Sequence, residues 1–139
     1  MPGEARRGFV HDVWRFFWLP RGMPRRPAPA GALLRVWLFC LVAGAVATAF
    51  GRVDHGAHVM LVVAQVAPLQ DVADGVRHRW PAFLTALAAG WAVNRPAYAV
   101  LPGSHESWGL YCVHALMTFA TLATFAGVTR LPRRRPGAS

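Results

Sequence analysis

The chain has 139 residues, 55% of them hydrophobic and only 15% charged, against the roughly one quarter of charged residues in soluble domains. Composition therefore excludes an ordinary soluble domain and points to one membrane unit. Its net charge of +9 comes from fifteen arginines and no lysine against six acidic residues. Such a balance would also suit nucleic acid, but Arg6, Arg7, Arg15, Arg21, Arg25 and Arg26 precede the apolar body and Arg130, Arg133, Arg134 and Arg135 follow it. Basic tails around apolar segments mark the cytoplasmic ends of a membrane protein, so a lipid bilayer is the expected partner and nucleic acid is not.

The N-terminal arm, RRGFVHDVWRFFWLPRG, sets Phe9, Val10, Val13, Trp14 and Phe17 on one face of a helix and Arg7, His11, Asp12 and Arg15 on another, with Pro20 closing it. An interfacial helix is predicted, its aromatics at the acyl boundary and its arginines on anionic headgroups. The same face would also suit a protein groove. A Pro-rich linker, Gly22 to Gly31, joins this arm to the first span. The paired arginines Arg6 and Arg7 are not followed at once by an apolar region, as a twin-arginine signal requires, and AVATA (45–49) stands too far into the chain for an ordinary signal-peptide cleavage site. The first span is expected to be an uncleaved anchor.

Gly31 to Gly51 is long enough to cross a hydrocarbon core, and so is Trp108 to Val128, where Trp108 and Tyr111 form an aromatic belt. Between them, His58 to Gln70 is short and carries Gln65 and Pro68; it reads as a thin span from near Gly56, or as a re-entrant segment. Pro81 to Leu101 has the right length only with Arg95 inside it. Two basic tails on one side require an even number of spans, and the middle supplies two. The fold expected is therefore all-α: about four transmembrane helices, two of them marginal, after an amphipathic helix. Residues 1–30 form the basic arm and linker, 31–129 the bundle and 130–139 a basic tail. Both termini are expected in the cytoplasm of a cell-membrane protein. In GWAVNRPAYAV, Pro96 has no N–H for the carbonyl of Ala92, so the helix should kink or fray there while Arg95 snorkels to the outer interface.

Chemistry is sparse. His55 and His58 in DHGAH, with Asp54, would share the outer side with His105 and Glu106, but the spacing does not amount to a metal-ligand set. His58 and His114 are the one pair available to haem iron; the preferred reading of His114 is a polar side chain bonded to a neighbouring helix. No metal or cofactor is expected. Cys40 and Cys112 each lie in an apolar run and imply no disulfide framework. Small residues around Gly44 and Ala47 in the first span, and around Ala86 and Gly90 in the third, let backbones approach closely and read as packing faces.

No nucleophile elbow, P-loop, dinucleotide fingerprint or HExxH occurs, so no catalytic residues are expected and the chain reads as a non-enzyme. The layout of a small helical membrane protein with basic tails is shared by holins, small phage proteins and accessory subunits of respiratory or transport complexes. Three functions are consistent with it: a self-associating, bilayer-perturbing oligomer like a holin, a structural accessory subunit with a membrane-protein partner, or a haem or metal protein using the membrane histidines.

Overall fold

The computed structural model describes Val13, Trp14, Phe17, Trp18 and residues 24–132. Among these the fold is all-α: α1 (Ala30–Ala49), α2 (Val53–Asp74), α3 (Arg79–Val100) and α4 (Ser107–Arg130). Three of the four, α1, α2 and α4, are long and apolar enough to cross a membrane by length and composition. The polar run Asn94-Arg95 leaves α3 outside that group.

The helix ends follow from local chemistry. Gly51 (φ 70°) closes α1 in the left-handed region, where its amide donates to Thr48 and the Arg52 amide donates to Ala47. Gly75 (φ 87°) closes α2 in the same way, with bonds from its own amide to Val72 and from Val76 to Asp71. Each satisfies carbonyls that a helix end leaves orphaned, in the Schellman pattern that favours glycine. Pro81 lies in the first turn of α3, where its missing N–H costs nothing.

Two expectations about the middle of the chain need correction. The second helix is a full 22 residues, Val53–Asp74, with Pro68 inside it, so it begins before Gly56 and takes in Asp54 and His55 as well as His58. Likewise α3 has the expected extent, running through Asn94-Arg95-Pro96 to Val100, but it does not fray at the proline. The reason is tertiary. Ala97, directly after Pro96, is buried in a cluster with Val113 and Met117 of α4, and that packing holds the helix beyond the one lost backbone bond.

Helix α4 is the hub and packs against the other three, while α1 and α3 do not approach each other. The core is built largely from small residues: Ala64, Ala82, Ala86 and Ala126 surround Leu122 and Phe125. Close approach brings α1 and α2 together, since a Cβ on Gly56 would lie 2.7 Å from the Cβ of Ala47 and 3.4 Å from the Gly44 carbonyl oxygen. Cross-helix bonds complete the packing. The Tyr111 hydroxyl donates to the Leu41 carbonyl (2.9 Å) and the Trp37 indole to the Ala115 carbonyl (3.2 Å). Much of the outward surface is apolar, including Leu34, Phe39 and Val42 on α1, Val62 on α2, and Leu84 and Trp91 on α3.

Candidate membrane-interface site

Alternating helix directions give the bundle two chemically different ends. One gathers the linker, the α2–α3 corner and the end of α4: the Arg77 amide donates to the Arg26 carbonyl (3.0 Å), and the Ala28 amide donates to the Thr129 hydroxyl (3.1 Å). Arg25, Arg26, Arg77, Arg79 and Arg130 all lie there. The opposite end holds the α1–α2 turn and the 101–106 loop, with Arg52 and Arg95 its cations. Both ends of the described chain therefore meet on one arginine-rich side.

At its centre is Arg79, buried although charged. Its guanidinium donates to the Val72 carbonyl at 3.4 Å and to the Phe17 carbonyl, and it lies 5.9 Å from the ring centre of Trp80. Guanidinium suits this position because its planar fork serves two carbonyls while stacking on an aromatic face. Phe17 in turn stacks on Trp80 (5.4 Å between centroids, 9° between planes), and Trp14 stacks on Trp18 (4.7 Å). Val13, Trp14 and Phe17 are helical and exposed, and Phe9 lies outside the described residues. Arg79 and Trp80, between the second and third apolar segments, do not stand out in the sequence, because their role depends on an arm more than 60 positions away.

The other candidates are distributed as follows. Arg95 is exposed on α3 toward the opposite end. Trp108 is exposed and meets Tyr111 edge to face, 5.8 Å apart, at the same end. Gly44 faces Met60 and Tyr111, Ala47 faces Gly56, Gly90 faces Thr121, and Ala86 is fully buried in the core. His55 is exposed and His105 stacks on Tyr98 (5.8 Å). His58 and His114 each bond a carbonyl of their own helix, Asp54 (2.6 Å) and Leu110 (2.8 Å). The expected bond from His114 to a neighbouring helix is thus replaced by a local one, which a histidine within a helix reaches without any partner. Among the described residues no three His, Cys, Asp or Glu side chains cluster as metal ligands.

Among the described residues, a groove of about 240 Å³ lies between α1 and α4, lined by Leu33, Leu34, Trp37, Phe119, Leu122 and Ala126, with Ala30 and Ala123 completing it. Its lining is apolar throughout. No known protein family matches the chain, and neither a curated protein nor a solved structure is significantly similar to it.

Proposed function

We propose that this chain is a small four-span protein of the cell membrane, with both termini cytoplasmic, that works without catalysis as a structural, partner-binding subunit of a membrane complex. Support for the membrane comes from α1, α2 and α4, which have the length and composition to cross it, and from their outward apolar side chains. Support for a fourth span comes from the ends of the chain. The bond from Ala28 to Thr129 brings the start of α1 and the end of α4 to one side, and an odd number of spans would separate them. Arginine concentrated on that side matches a cytoplasmic face.

The observation that carries the subunit reading is the use of the small-residue faces. Gly44, Ala47, Gly56 and Gly90 all meet other helices of the same chain. A holin-like oligomer would need such faces free for other copies; here they are consumed in a self-contained bundle. The exposed Trp14 and Trp18, held beside the arginine-rich end, supply an aromatic docking element at the membrane surface.

The test is the behaviour of the purified full chain. Light scattering after gel filtration in mild detergent should give one copy per micelle, and reconstitution into dye-loaded vesicles should release no dye. Purification at native expression level should then recover the chain in a complex of fixed stoichiometry with another membrane protein. A large homo-oligomer that releases dye would overturn this reading in favour of the bilayer-perturbing one.

A further inference from the structure

We propose that the α1–α4 groove holds one acyl chain of an anionic phospholipid, with the lipid phosphate at the arginine-rich end against Arg130; this rests on the membrane reading above. The dimensions select the occupant. From Ala30 to Trp37 the groove follows seven residues of α1, about 10 Å at 1.5 Å per residue. The groove offers about 240 Å³ over that length. That is room for a single hydrocarbon chain, whereas a helix with side chains is roughly 10–12 Å across.

The chemistry is consistent along its length. The indole N–H of Trp37 is the one side-chain polar group of the lining, and it is already donated to the Ala115 carbonyl. Water entering would find no partner, so the cavity favours an apolar occupant. Leu34 and Phe119, on its rim, are about half exposed, which opens it sideways to the bundle's outer surface. On α4 the lining positions Phe119, Ala123 and Ala126 continue at helical spacing to Arg130, four residues on, exposed at the mouth. On α1 the first turn contains no acidic residue, Pro29 offers no capping side chain, and Ala32 is the first amide with a backbone acceptor. Positive charge and free amides thus meet where a phosphate would lie. The nearby carboxylates, Asp71 and Asp74, belong to α2 and do not line the groove.

The experiment is native mass spectrometry of the full chain equilibrated in detergent with equal amounts of phosphatidylglycerol and phosphatidylcholine. One retained phosphatidylglycerol is expected. Arg130→Ala should cut the preference over phosphatidylcholine roughly fivefold, the ratio equivalent to about 1 kcal/mol for one basic contact. Ala123→Trp, which fills the groove from an exposed position, should abolish retention of both lipids, and Leu34→Trp should do so from the α1 side. Arg95→Ala, at the opposite end, should change nothing. Helicity by circular dichroism identifies any misfolded variant, and the two groove variants serve as independent checks. Equal retention of the two lipids by the unaltered chain overturns the proposal. So does retention by both tryptophan variants, or a dimer that either variant dissociates, which would assign the groove to a second copy. Failure of the membrane reading itself would look different: the chain would stay soluble and monodisperse without detergent.

Discussion

At the scale of single residues, the contact between Gly56 and Ala47 leaves no room for a side chain between α1 and α2. A Cβ on Gly56 would lie 2.7 Å from that of Ala47, a short side chain that cannot swing aside, so the α1 and α2 backbones would have to separate. Gly56→Ala should lower stability by roughly 1–3 kcal/mol from overpacking, partly offset by up to about 1 kcal/mol of helix propensity. Adding Ala47→Gly should return the space, so thermal melts of the two single variants and the double variant should show favourable coupling on the order of 1 kcal/mol. Additive losses would mean that the two positions do not touch. Gly44→Ala should be milder, because Met60 presents the end of a flexible chain there. Arg79 poses a different problem, as a buried cation whose hydrogen bonds each contribute about 1.5–3 kcal/mol. Arg79→Ala should free the arm, and hydrogen–deuterium exchange in peptides covering residues 13–18 should rise at least tenfold. Arg79→Lys, which keeps the charge without the fork, should fall between the two. Exchange unchanged in Arg79→Ala would detach the arm from this residue.

At the scale of elements, α3 shows how packing overrides a local signal. Proline inside a helix removes one bond and crowds the preceding turn, at a cost of about 3 kcal/mol in water. Yet the helix persists to Val100 because Ala97 is buried against α4. Pro96→Ala should therefore add the missing bond to Ala92 and raise the melting temperature without altering the fold. No change in melting would mean that Pro96 stands outside the helix. The same contrast explains what was readable beforehand. The continuous apolar runs of α1 and α4 announce themselves because their periodicity does not matter, only their length. The beginning of α2 was not readable: Asp54 and His55 look like a loop until the buried Gly56, Ala57 and Met60 pin that turn to α1. Gly44, Ala47, Ala86 and Gly90 could be named as packing positions from residue size alone, whereas their partners could not. Nor could Arg79 or the groove, because each exists only where segments distant in sequence meet.

For the whole molecule, the decisive quantity is how many times the chain crosses the bilayer. Hydropathy alone gives three helices able to do so, α1, α2 and α4, and three crossings would put the two basic tails on opposite sides. Tertiary structure argues for a fourth. Helix α3 has 22 residues, about 33 Å at 1.5 Å per residue, enough for a hydrocarbon core of about 30 Å. Its one interior cation, Arg95, lies five residues before the end of the helix, near enough to the interface for its side chain to reach water. Reporter fusions after Arg26 and after Arg134 should both read cytoplasmic, and an insertion at Gly103 should read external. The charge pattern sharpens this test, since Arg77 and Arg79 occupy the short corner between α2 and α3. A reporter inserted at Gly75 should therefore also read cytoplasmic, fixing α2 and α3 as separate crossings. Opposite readings after Arg26 and Arg134 would leave three spans and place α3 along the surface. The association of Ala28 with Thr129 would then be impossible in the membrane, and with it the groove mouth that places Arg130 beside the start of α1.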